Sequence, residues 1–61
     1  MYTLWKVNHA LGSWFPMGKN EKIDDLKASA TEQIKNMRDF MEFVIIDNNT
    51  DKKVFSVKNT H

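Results

Sequence analysis

The sequence predicts an α+β domain, a single helix packed on a small antiparallel β-sheet in the order ββαββ. The alternative order, βαββ, leaves residues 8–20 as a loop. Three observations carry this expectation. The stretch Phe40-Met41-Glu42-Phe43-Val44-Ile45-Ile46 is the one long apolar run, rich in β-branched and aromatic residues, as in a strand inside a sheet. Ile23, Leu26, Ala30, Ile34 and Met37 recur at three- and four-residue spacing, the mark of a helix with one apolar stripe. Shorter alternating segments lie at both ends of the chain, at residues 2–8 and 52–58.

In residues 2–8, Tyr2, Leu4 and Lys6 fall on one face and Thr3, Trp5 and Val7 on the other. Trp5 and Val7 are the expected core face, because Lys6 prefers water; the Lys stem still allows Tyr2 and Leu4 to pack. His9-Ala10-Leu11-Gly12 breaks the alternation, and Gly12 supplies turn freedom. Ser13-Trp14-Phe15 reads as a second short strand, ended by Pro16 or placed by it at a sheet edge, since proline has no ladder donor. Met17-Gly18-Lys19-Asn20 reads as a second loop.

The helix is expected to begin at a cap, either Asn20, or Asp24 with Ile23 forming a hydrophobic staple onto Ala28. Asp24 and Asp25 suit its start, Lys35 and Arg38 its end, and it should stop near Arg38 or Asp39. Its stripe spans an arc of about 80° at ~100° per residue. Met41 is in phase with that stripe but belongs to the following strand. The polar flanks sort by charge, Lys27, Thr31, Lys35 and Arg38 beside Glu21, Asp25, Glu32 and Asp39, with Glu32 placed to pair weakly with Lys35.

The long apolar run has two greasy faces. Met41, Phe43 and Ile45 point one way; Phe40, Val44 and Ile46 point the other, with Glu42 among them. One helix shelters one face, so a second buried surface is expected, inside the fold or against a partner. Asp47-Asn48-Asn49-Thr50-Asp51 then forms a turn into the last strand, where Phe55 and Val57 share a face with Lys53, and Val54 joins Ser56 and Lys58. Its lysines suit an edge strand. Asn59-Thr60-His61 should fray.

The 61 residues make one domain, and near this size a chain buries only about 60% of the surface its unfolded form exposes. Without Cys there is no disulfide, and two histidines, His9 and His61, make no zinc site. Self-association or an unusually good core must then support it. A net charge of +1 with a single Arg argues against a dedicated binder of nucleic acid or acidic membrane. The N-terminus has no signal-peptide pattern and no apolar run spans a membrane, so the expected location is cytoplasmic.

No catalytic, cofactor or metal motif is present. Ser13, Ser29 and Ser56 lack a nucleophile elbow, Gly12 and Gly18 lack the Lys-Ser/Thr of a phosphate loop, Asp24/Asp25 read as helix-start residues and Asp39/Glu42 as solvated carboxylates. Asn48-Asn49-Thr50 fits a glycosylation acceptor, without a secretory route to use it. Trp14-Phe15-Pro16-Met17, between two glycines, is hard to bury whole, and Trp and Met are common at binding surfaces. Trp14, Phe15 and Met17, with Tyr2, are therefore the candidate partner-binding residues. Lys27, Lys35 and Arg38 on the helix, extended by Lys52 and Lys53, are a candidate basic patch. Trp5 and Phe43 are expected in the core.

In size, Lys and Asn richness, one-helix layout and lack of catalytic motifs, the chain resembles the small proteins of bacteriophages and mobile elements. The resemblance implies action by occupying a host or defence protein; it rests on no shared motif and assigns no residues. The expected function is a non-enzymatic protein-interaction module, an inhibitor or modulator of its target, acting alone or as a homodimer. The alternative is a small nucleic-acid-binding module using the basic helix flank.

Overall fold

The computed structural model describes residues 1–38 and 40–59. Strands β1 (Tyr2–Asn8) and β2 (Ser13–Asn20) precede helix α1 (Ile23–Ile34), and β3 (Met41–Asp47) and β4 (Lys52–Lys58) follow. The strands form one sheet in the order β2-β1-β3-β4, every neighbouring pair antiparallel. This is the α+β arrangement expected, in the order ββαββ. β2 and β3 run parallel with β1 between them, so α1 is the crossover of a split β-α-β unit and lies on one face of the sheet.

Local chemistry sets the two hairpins. Asn8 Oδ1 accepts the backbone N–H groups of Ala10 and Leu11 at 3.0 and 3.1 Å, a side-chain-built turn. Gly12 closes it with φ +68°, where a Cβ would be strained. In the second hairpin, Asp47 Oδ1 accepts from Asn49 N, and Asp51 N donates to the Asp47 carbonyl. Asp51 takes φ 60°, a left-handed conformation that Asp tolerates better than most residues.

The helix packs Leu26, Ala30 and Ile34 onto Leu4 of β1 and Met41, Phe43 and Ile45 of β3. Tyr2, Ile23, Met37, Phe55 and Val57 close the fringe of this cluster. Ala30, Phe43 and Ile45 are fully buried. A residue no larger than Ala at position 30 lets the helix backbone approach the sheet closely.

Several boundaries differ from the sequence expectation. β2 does not stop at Pro16 but runs on to Asn20. It tolerates proline because it is the outermost strand, and it absorbs one extra residue as a bulge: Trp5 pairs with Pro16 and Leu4 with Gly18, leaving Met17 over. β3 begins at Met41, with Phe40 in the preceding turn. The helix ends at Ile34, short of Arg38 or Asp39. Bonds of the tighter i+3 kind follow, Asn36 N to Gln33 O and Met37 N to Ile34 O, as the chain turns to enter β3.

The start of the helix uses neither expected cap. Lys22 occupies that position without a side-chain bond, and Asn20 acts earlier, accepting from Lys22 N at 2.8 Å. On β1 both faces are used: Leu4 meets the helix, whereas Val7, buried as expected, and the half-buried Trp5 lie on the opposite face. Lys6 shares that side without opposing it, because its ammonium reaches outward over the Phe15 ring, 5.5 Å from the centroid. The Glu32–Lys35 pair forms, at 3.6 Å and exposed. The Asn59 side-chain amide donates to the Met37 carbonyl. Asp39, Thr60 and His61, named above as an acidic-flank residue and a frayed end, lie outside the described residues.

Candidate functional site

The face of the sheet opposite α1 carries no covering element among the described residues. Pairing registers resolve it into three rows across the strands. Trp14, Val7, Glu42 and Lys58 form the first; Pro16, Trp5, Val44 and Ser56 the second; Lys19, Thr3, Ile46 and Lys53 the third. A second bulge, where Ile45 pairs with Phe55 and Ile46 with Lys53, adds Val54 beside the third row.

The floor of this face is nearly dry although no helix covers it: Val7 and Val44 are buried, and so is Thr3, its hydroxyl hydrogen-bonded to the Asn48 side-chain amide. Their side chains are short, and larger neighbours in adjacent rows shield them. Trp5 is half-buried and Trp14 stands above it, the rings 6.2 Å apart and edge to face at 67°. Trp14 is 53% exposed and Val54 43%. The apolar second face expected from the long run is therefore real, and it is capped by indoles rather than by a second helix.

One charge lies within it. Glu42 is buried, and its Oε1 sits 2.6 Å from His9 Nε2. A carboxylate only accepts, so the imidazole N–H donates. His9→Ala should cost about 1–2 kcal/mol, the typical cost of leaving a buried acceptor without its partner. Glu42→Met should absorb that loss, so the double variant is no less stable than Glu42→Met alone. Urea titration of the four proteins checks this; equal, additive losses from both changes would count against a coupled pair.

Both edges of the sheet are blunted against a further strand. On β2, Pro16 removes a donor and Met17 bulges; on β4, Lys52, Lys53 and Lys58 line the strand and Val54 bulges. The face is thus better prepared for contact than the edges.

The four candidate partner-binding residues divide between the two sides of the sheet. Trp14 is on the helix-free face, whereas Phe15, 59% exposed, pairs with Lys6 on the helix side. Met17 is exposed at the bulge, and Tyr2 is half-buried at the fringe of the helix core. The basic patch is spread as well. Lys27 lies 5.5 Å over the Phe55 ring, while Lys35 pairs with Glu32 about 12 Å further along the helix at ~1.5 Å per residue. Arg38 lines a cleft of about 340 Å³ with Asn8, Asn36, Met37, Phe40 and Met41. Lys52 and Lys53 open β4. Sequence reasoning missed that Trp5, Lys19 and Lys58 share a face with Trp14; their alternation was visible, but their rows depend on register.

Among the described residues no group of three or more His, Cys, Asp or Glu side chains is placed to hold a metal. The cleft at the end of the helix is lined, among those residues, by no carboxylate, imidazole or hydroxyl. No helix is long and apolar enough to cross a membrane among the residues described.

The fold and this surface define a small α+β protein with one covered and one open sheet face. Comparison with protein-family models, curated proteins and solved structures found no match.

Proposed function

We propose that the protein is a non-enzymatic interaction module that docks another protein through the helix-free face of its sheet, with Trp14 as the anchor. The observation that carries this reading is a half-exposed indole standing on a largely apolar sheet face whose edges are both blunted against strand addition. Trp is enriched at the energetic centres of interfaces, and a dry apolar patch with a polar rim is their usual anatomy. A stable interface of about 800 Å² per partner would cover roughly a fifth of the 4225 Å² surface. Inhibition or modulation of a target, as in small phage proteins, is the kind of action such a module performs.

Trp14→Ala tests it. The variant should melt within a few degrees of the parent, because the ring is half in water. It should lose about 2 kcal/mol or more of partner affinity, roughly thirtyfold, as anchors do. Cross-linked capture from cell extract, compared with a Glu32→Ala control on the helix, reads the difference. Unfolding of Trp14→Ala, or capture unchanged by it, would defeat the reading.

A further inference from the structure

The exposed charges in the three rows of the helix-free face are all of one sign. On the helix-free face, three of the four corners are lysines, Lys19, Lys53 and Lys58, and the fourth is Trp14. All three lysines are exposed. The one carboxylate in the three rows, Glu42, is buried and engaged by His9. The helix side carries both signs, exposed Asp24, Asp25 and Glu32 beside exposed Lys22, Lys35 and Arg38. Lys19 and Lys53 end the same row, three strand spacings or about 14 Å apart, and Lys58 lies about 13 Å from Lys53 along the strands.

We propose that the partner docked on this face is an acidic protein surface, its apolar part received by Trp14, Pro16 and Trp5 and its carboxylates by Lys19, Lys53 and Lys58. The inference rests on the docking reading above and adds the chemistry of the partner. An apolar patch flanked by three like charges is matched by an apolar patch flanked by opposite charges. A second copy of this chain is a poorer match, because a two-fold contact presents the same patch from both sides. Within the rows this face has no exposed carboxylate to offer those lysines. Single-stranded nucleic acid is also disfavoured. Its bases stack on successive ring faces and its backbone follows a basic groove. Here the two indoles meet edge to face and the cations stand at corners.

The test uses the whole chain, isotope-labelled for amide NMR, and three defined probes: an amphipathic peptide of glutamate and leucine, its lysine and leucine counterpart, and oligothymidylate. The acidic peptide should shift the amides of Trp14, Lys19, Lys53 and Lys58, and bind more weakly as salt rises. The triple variant Lys19→Glu, Lys53→Glu, Lys58→Glu should weaken it about tenfold or more, as the loss of three exposed charge pairs predicts. Lys22→Glu with Lys35→Glu on the helix should leave it unchanged.

Tighter binding of oligothymidylate at the same amides would replace the proposal with nucleic acid. Concentration-dependent broadening of those amides without any probe would replace it with self-association. If the triple variant binds the acidic peptide like the parent, the lysines only guard the sheet edges and the proposal falls. Should Trp14→Ala still abolish binding in that case, the docking face itself survives. The triple variant is checked by its melting temperature, which these exposed positions should move by only a few degrees.

Discussion

Phe43→Ala should leave the chain largely unfolded at room temperature. Phe43 is fully buried on a central strand, paired with Lys6 on one side and Val57 on the other, and belongs to the cluster beneath the helix. Truncating such a ring costs about 3–5 kcal/mol, the lost transfer energy plus the cavity left behind. A core of this size rarely supplies more than about 3–5 kcal/mol in total, so the variant removes most or all of it. Circular dichroism should show a flat thermal profile where the parent melts cooperatively. Phe43→Leu, which keeps much of the volume, should cost about 1.5 kcal/mol or less and refold. Cooperative melting of Phe43→Ala near the parent temperature would mean that the core lies elsewhere.

Leu4→Ala should cost about 2–4 kcal/mol, a fall of very roughly 10–25 °C in melting temperature for a domain this small. Leu4 is 2% exposed and is the β1 residue buried in the helix cluster. On either side of it in the ladder are Ile45, fully buried, and Gly18, which has no side chain to help fill the space. The contrast with Trp14→Ala is the decisive part. Deletion of the larger side chain should matter much less to stability, because Trp14 rests on the outer face with half its surface in water. Thermal denaturation of the two variants side by side checks the assignment of faces; the reverse ranking would put the helix over Trp5 and Val7.

That assignment is where sequence reasoning reached its limit on β1. Lys6 shares a side with Leu4, and a lysine argues for water. Register explains the outcome: Lys6 pairs with Phe15, at the outer part of the helix side, where its ammonium sits over the ring and its stem can lie flat. Nothing within residues 2–8 announces that neighbour. The same holds for β2, where Pro16 looked like a terminator. Proline stops a strand only when both sides of it must be paired, and the order β2-β1-β3-β4 leaves one side of β2 free.

The candidate surface was legible in part. The two-faced run of β3 foretold an apolar face that one helix leaves open, and Trp14 was singled out as hard to bury. The grouping of Trp14 with Phe15 and Tyr2 did not carry over to one surface. Neighbours in a strand point to opposite sides, so adjacency in the chain separates Trp14 from Phe15 as surely as it links their names. The helix lysines share a flank in the sequence pattern, yet Lys27 and Lys35 have different partners at separate turns.

By itself the sequence determined the kinds and order of the elements, the apolar stripe Leu26-Ala30-Ile34, and the double greasiness of β3, because these follow from periods of two and of about 3.6 residues within each segment. Only the tertiary structure decided which side of β1 meets the helix, which rows Trp14 and the corner lysines join, and that His9 reaches Glu42. Those depend on pairing between segments distant in the chain. A shift of one residue in that pairing turns every side chain to the other face.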